Sequence, residues 1–342
     1  VTLPSGDNFT LARARVPRRL LPEDFEPRRL ASDGLALVDL RIERGQIGRI
    51  EDGSPQPIAA PDICDLAGAQ VWPPFVDVHT HLDKGHIWDR ARNPDGTLDG
   101  AVAATRRDRE ARWSAGDVRR RFEFALRCAY AHGTAAMRTH LDCDPPQGEI
   151  TWPVFAELRE QWAGRIELQA VGKMPVEHYL TPGGEAFAQT IARHDGLLGG
   201  VTRVFAPAEK ADAILEHALN ALFDLARQYD RDVDLHVDET GDPASNTLAA
   251  VARAAVRHGW QGRVTCGHCC SLAMQDEDVV QRTLDLCADA RLNVVTLPMV
   301  NLFLQARSPG ATPRWRGITR VKELAARGIR VAVASDNCRD PF

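Results

Sequence analysis

Two periodicities divide the chain. Over residues 1–70, "FTLARARVP" and "ALVDLRIERGQIGRIED" alternate apolar and polar side chains with period 2, as strands with one buried face do. Arg44-Gly45, inside the second run, predicts a tight turn. From "VWPPFVDVHTH" onward, short apolar runs are separated by amphipathic segments of helical period. Strands are expected at residues 75–79, 135–141, 166–171, 200–205, 233–237, 263–267, 293–297 and 329–334, with helices between most of them. In "SAGDVRRRFEFALRCAYAHG", Ser114 is the expected N-cap, and Val118, Phe122, Leu126 and Ala129 share one face. Gly133 is its expected terminator. "KADAILEHALNALFDLARQYD" and "DEDVVQRTLDLCADA" repeat the scheme.

Eight strand candidates joined by crossover segments predict an α/β fold, a (β/α)8 TIM barrel over residues 71–342. Residues 1–70 are the β-rich part of a small second domain. A doubly wound open sheet competes, but it would carry a Gly-rich phosphate turn after an early strand, and none is present. The eighth strand lies so close to Phe342 that no closing helix fits after it, as expected of a fragment.

Composition narrows the partners. A net charge of −5 without a concentrated basic stretch argues against nucleic acid. No apolar run approaches the ~20 residues of a membrane span, and no leader is visible, although a chain starting at Val1 could have had one trimmed. Eight cysteines in 342 residues suit a reducing cytoplasm better than a disulfide scaffold. The cluster "CGHCC" (Cys266, His268, Cys269, Cys270) raises structural zinc, but no distant Cys/His pair completes such a site, so core cysteines are expected.

The chemistry gathers at strand ends, where barrels of this kind carry their reactive groups. His79 and His81 close the first strand, and their i, i+2 spacing puts both on one face. The fifth ends "DLHVDET", with His236 and, three residues on, Glu239; the sixth ends at His268 and the eighth at Asp336. Five groups therefore converge on one mouth: His79, His81, His236, His268 and Asp336. Imidazole and carboxylate suit zinc or ferrous iron and leave room for a water. Each histidine alone would more often be a hydrogen-bonded core residue; their combined placement favours a metal. His132, His194, His217 and His258 lie on helices or their ends and are expected at the surface, while Asp83, Asp142 and Asp238 are expected to support the site.

The H-x-H pair, the strand-five His and the strand-eight Asp resemble the amidohydrolase superfamily. The H-x-x-E on strand five, with no bridging lysine on strand four, looks like its mononuclear deaminase branch, closest to bacterial cytosine deaminase and its relatives. The likeness runs from Trp72 to Phe342 through "MRTHLD", "LPMVNLFLQAR", "RGITRVKEL" and "SDNCRDPF". It implies one divalent ion, zinc or iron, held by His79, His81, His236 and Asp336. Glu239 would shuttle protons and His268 flank the hydrolytic water, with Glu239, His268 and Asp336 as the catalytic set. It also implies that residues 1–70 belong to a small β-sandwich. The expected activity is metal-dependent hydrolytic deamination of an amino-substituted nitrogen heterocycle, with a small-molecule substrate and no nucleic-acid or membrane partner. The reading allows a homo-oligomer.

Three positions depart from the cytosine deaminases. In the region where they place a substrate-reading glutamine, "VGKMPVEHYL" has Lys173, Met174 and Pro175 and no glutamine; Asn337 replaces a second aspartate, and Phe342 replaces a pocket tryptophan. Lys84, after "HTHLD", points either at a substrate carbonyl or carboxylate or into a surface ion pair. Lys84, Lys173, Asn337 and Phe342 are thus the expected substrate contacts, and cytosine itself is expected to be a poor substrate. Isocytosine, creatinine-like rings, pterins and N-alkylated triazines remain open. Cleavage of a cyclic amide or an N-alkylamino-triazine, and a non-catalytic metal-binding barrel, are the alternatives.

Overall fold

A computed structural model describes residues 2–342 except 308, 309, 313, 314 and 316. It holds two compact units, Val1–Pro74 and Phe75–Phe342. The first contains β1 (Phe9–Pro17), β2 (Leu35–Glu43), β3 (Gln46–Asp52) and β4 (Ile63–Asp65), in the sheet order β3-β2-β1-β4. Arg44 and Gly45 join β2 to β3 with φ of 53° and 75°, both positive, as a two-residue hairpin turn of the primed type requires. A bulge interrupts β1 between Leu11 and Ala14. Arg13 sits in it at φ 55°, and its displaced N–H donates to Asp39 Oδ1 at 2.7 Å instead of to the ladder. Ala14, Val16, Ala36, Val38 and Leu40, the apolar half of the alternation, form this unit's core.

The second unit is a parallel sheet of β5 (Phe75–Thr80), β6 (Thr134–Asp142), β7 (Glu167–Lys173), β8 (Leu197–Val201), β9 (Val233–Val237), β10 (Val264–His268), β11 (Asn293–Thr296) and β12 (Arg330–Val333), in sequence order. Consecutive strands pair in parallel, with helices between most of them, so a nearly closed barrel forms rather than the open doubly wound sheet. No ladder joins β12 to β5. The two are tied just past their C-terminal ends: His81 N donates to the Asp336 carbonyl and Asp336 N to the His79 carbonyl, both at 2.9 Å. The segments carrying the ligands expected from sequence therefore make the closure.

The helix expected after Ser114 spans Ala115–Ala131, with Ser114 Oγ accepting from Asp117 N and Gly133 beyond its end at φ 85°. Phe122, Leu126, Trp152, Phe155, Leu158 and Phe223 bury fully between helices and strands. The fourth barrel strand corrects the sequence reading: it is Leu197–Val201, not 200–205. Gly199 lies inside it, and Gly200, expected to open the strand, is its second-last residue. A Cβ on Gly199 would come within 2.6 Å of the Asp234 carbonyl oxygen, so the neighbouring strand can approach only a glycine. Among the described residues, no helix is long and apolar enough to cross a membrane.

Candidate active site

His79, His81, His236, His268 and Asp336 meet at the C-terminal mouth of the barrel, all of them buried. Asp336 Oδ1 lies 3.2 Å from His81 Nε2 and 3.7 Å from His79 Nε2, and its Oδ2 lies 4.0 Å from His268 Nε2. His81 Nε2 and His236 Nε2 are 3.2 Å apart. Burial holds His79, His81 and His236 well below the usual imidazole pKa, so all three are neutral, the form that ligates metal. His81 Nδ1 meets the His140 carbonyl at 3.1 Å, and a carbonyl only accepts. The proton therefore sits on Nδ1, and the Nε2 lone pair faces His236 and Asp336.

The polar atoms here lack partners to an unusual degree. Both ring nitrogens of His79, His236 Nδ1 and both Asp336 oxygens are buried without a hydrogen bond. Such groups are costly unless something pairs with them. A cation among them resolves the cost, and ligand atoms of His79, His268 and Asp336, or of His79, His140 and His236, lie close enough together to share one. The donor set therefore fits a divalent metal. Burial, with Glu239 nearby, pushes the Asp336 carboxyl up to about 7; a bound cation would oppose that shift.

His268 differs from the others. The Asn301 amide nitrogen lies 3.2 Å from its Nδ1, which therefore accepts, leaving the proton on Nε2 toward Asp336. Glu239 Oε1 is 3.6 Å from His268 Nδ1 and has no hydrogen bond, and burial pushes this carboxyl up to about 7. Asp238 aims it. The Asp238 carboxylate accepts from Ser245 Oγ, Thr247 N, Thr247 Oγ1 and Leu248 N, and its carbonyl from Cys270 N. Asp238, His268, Cys269 and Asp336 all have φ between 49° and 70°, a conformation side chains rarely adopt and one that gathers at functional sites. The neighbouring Cys266, Cys269 and Cys270 are buried with their thiols pushed far up, and no metal-capable group among the described residues includes them.

The expected substrate contacts divide. Lys84 is buried, makes no ion pair among the described residues, and holds its Nζ 3.8 Å above the Phe342 ring. Asn337 Oδ1 is buried and unpartnered. Lys173 instead turns to Asp142, with Nζ 2.6 Å from Oδ1, so its charge is already paired. Asp83, expected to support the site, accepts from Asp142 N at 2.8 Å and joins that network. His132 and His217 are exposed as expected, but His194 stacks on the buried Trp152 and His258 bonds Asn220 at 3.0 Å. A cavity of about 330 Å³ lies at the other end of the barrel, lined by Arg138, Asp232, Arg263 and Arg330, away from this chemistry.

A family model for the amidohydrolases, described as "Amidohydrolase family", matches residues 151–342. The chain belongs to the amidohydrolase family. It is 47% identical over 340 residues to a pterin deaminase from Rhizobium rhizogenes (strain K84 / ATCC BAA-868), covering 99% of this chain and 75% of that protein. An N-isopropylammelide isopropyl amidohydrolase from Pseudomonas sp. (strain ADP) is 25% identical, over 82% of this chain and 66% of its own length. A crystal structure of 5-methylcytosine deaminase from Klebsiella pneumoniae liganded with 5-fluorocytosine matches with a TM-score of 0.81 and 27% identity, over 97% of this chain and 76% of that one. The amidohydrolase described here is thus a hydrolase acting on carbon–nitrogen bonds other than peptide bonds, and its mouth holds His and Asp groups able to take a metal.

Sequence reasoning passed over His140, Asp234 and Asn301. His140 and Asp234 lie on inward faces of β6 and β9, wholly buried, with His140 Nε2 3.7 Å from Asp234 Oδ1. Their signal was present: His140 lies two residues before the end of β6 in "MRTHLD", and Asp234 precedes His236 by two. Nothing local to Asn301 pointed to His268, 33 residues earlier.

Proposed function

We propose that this amidohydrolase deaminates a 2-amino-4-oxo-pyrimidine fused to a second ring, a substrate of the pterin class, using one divalent ion, zinc or iron. The observation that carries the substrate class is the 47% identity to a pterin deaminase along 99% of the chain. His79, His81, His236 and Asp336 would hold the ion. Residues 71–342 form the catalytic barrel in this reading, and residues 1–70 part of a small β-sandwich. When bound, the ion lowers the pKa of water toward ~7, making hydroxide available at neutral pH.

The chain's own groups then carry the protons. Asp336 accepts from the attacking water and His268, donating through Nε2, orients it. Glu239 protonates the ring nitrogen beside the carbon under attack, so the C=N bond becomes C–N while the new C–O bond forms. Asp336 passes the proton it took from water to the exocyclic amine, which leaves as ammonia as the carbonyl forms, and Glu239 regains its proton from the added hydroxyl. A carboxyl near 7 suits both transfers, because it is half-protonated at neutral pH. Lys84 and Asn337 would read the ring's carbonyl edge, Phe342 would pack against it, and Lys173 would act through its ion pair with Asp142. Localisation in the cytoplasm goes with this reading.

Ammonia release by metal-reconstituted protein tests it, with pterin, isocytosine, creatinine and cytosine side by side. Pterin should be turned over best and cytosine poorly, since polar groups left unpaired by the wrong ring edge cost up to ~10⁴-fold in kcat/KM. Cytosine turnover equal to that of pterin would overturn the substrate class. The likeness to an N-isopropylammelide amidohydrolase supports a second reading, and an alkylamine released from N-isopropylammelide would reveal it.

A further inference from the structure

The ring of His79 is held in a slot. One wall is the His140 imidazole, whose centroid lies 3.8 Å away at an interplanar angle of 30°. At the Cε1–Nδ1 edge of the ring Gly267 leaves a gap: a Cβ there would come within 2.7 Å of His79 Cε1 and 3.0 Å of Nδ1. His79 needs this support, because neither of its nitrogens has a hydrogen bond to fix the ring. His140 also bears on the other member of the H-x-H pair, since its carbonyl sits 3.1 Å from His81 Nδ1. Its own ring nitrogens are both unpartnered, with Asp234 Oδ1 at 3.7 Å.

We propose that His140 and Gly267 are positioning residues that set the His79 ring plane for metal, with His140 acting through its flat face and not as a ligand. This rests on the reading that His79 and His81 bind the ion. Metal ligands are normally oriented by a hydrogen bond from their second nitrogen. Here packing does that work for His79, and a carbonyl does it for His81. The 3.8 Å separation leaves no room for a solvent molecule between the rings, so a side chain without a flat face would let His79 tilt.

The test uses the full chain and Co(II) or Zn(II) alone, with chelator competition for affinity, the Co(II) d–d spectrum for geometry, and apo-protein melting for folding. His140→Leu keeps the bulk and loses the flat face; His140→Phe keeps both and loses the nitrogens; Gly267→Ala fills the gap. His140→Leu and Gly267→Ala should weaken metal binding roughly 10- to 100-fold and shift the cobalt spectrum, while His140→Phe stays within about 3-fold of the parent. Leu or Ala variants that bind as tightly as the parent would overturn the proposal. So would a Phe variant as weak as the Leu variant, since His140 would then be a ligand. If His140→Leu does not fold, Gly267→Ala and His140→Phe decide by the same criteria. His79→Ala separates the two levels: if it keeps the parent's affinity, the ligand reading fails, whereas its loss with unaffected His140 and Gly267 variants removes only the positioning role.

Discussion

Glu239 can serve a deamination only if it gains and loses a proton within each turnover, and its surroundings are arranged for that. Burial pushes its carboxyl up to about 7, and Oε1 has no hydrogen bond to stabilise the charged form. Asp238, one residue earlier, is the reverse: four donors surround its carboxylate and hold the turn that aims Glu239 inward. The pair divides the work, one group anchored and one left free. Replacing Glu239 by Gln preserves shape and removes the exchangeable proton. The expected result is kcat lower by ~10² or more with metal content unchanged, the usual scale for a lost general acid–base. Steady-state kinetics beside metal analysis on the same preparation checks it, and an active, metal-replete Gln variant would exclude Glu239 from proton transfer.

One helix shows how an element well outside the mouth supports it. Ala115–Ala131 carries Asp117 in its first turn, where a negative charge also suits the helix dipole. Arg90 donates to both Asp117 oxygens at 2.8 Å, and Arg121, one turn on, donates to Asp117 at 2.9 Å and to the carbonyls of Asp83 and Gly85. The helix thereby holds the loop that follows the H-x-H pair. Burial alone would raise the Asp117 pKa, but the hydrogen bonds from Arg90 and Arg121 outweigh it and bring it down to about 2 from 3.8. A folded-state pKa below the unfolded one adds stability above 3.8, which is lost as pH falls toward 2. The melting-temperature gap between the parent and Asp117→Asn should therefore be full at neutral pH and shrink between those values. A gap that stays constant down to pH 2 would mean that the ion pairs contribute nothing through this proton.

At the scale of the whole barrel, the metal would join strands far apart in sequence. Its proposed ligands lie on β5 and one residue past it, on β9 and just past β12, so the ion would add to the backbone bonds between Asp336 and the His79–His81 segment and to the Asp77–Ser335 pair, which already tie the first strand to the last. An ion that binds the folded state alone stabilises it by about 4 kcal/mol when present at 1,000 times its Kd. Chelation should lower the melting temperature, and stoichiometric Zn(II) or Fe(II) should restore it at one ion per chain. In His79→Ala the chelator should have little effect. Two ions per chain, or a parent protein indifferent to chelation, would contradict the mononuclear reading.

Much of this was legible from the residues in order. Period-2 alternation, then apolar runs spaced by amphipathic segments, is a local property, because buried faces repeat with the geometry of each element. It yielded the barrel, the β2–β3 hairpin turn and the capped helix after Ser114. His79, His81, His236, His268 and Asp336 were legible for a related reason: barrel strands deliver their last residues to one mouth, so sequence position maps onto place. The fourth strand failed that logic, since Gly199 and Gly200 carry no pattern and are required by the approach of neighbouring strands at Gly199 and of the Met174–Val176 segment at Gly200. Lys173 failed it differently, because Asp142 lies on the adjacent strand and no sequence spacing says that the two charges will pair. The slot around His79 is the clearest case. His140 and Gly267 stand 61 and 188 residues from it, and only folding brings a flat ring against its face and an absent side chain against its Cε1–Nδ1 edge. Chain order can say which groups reach the mouth; how each ring is turned depends on contacts between strands, and those exist only once the barrel has closed.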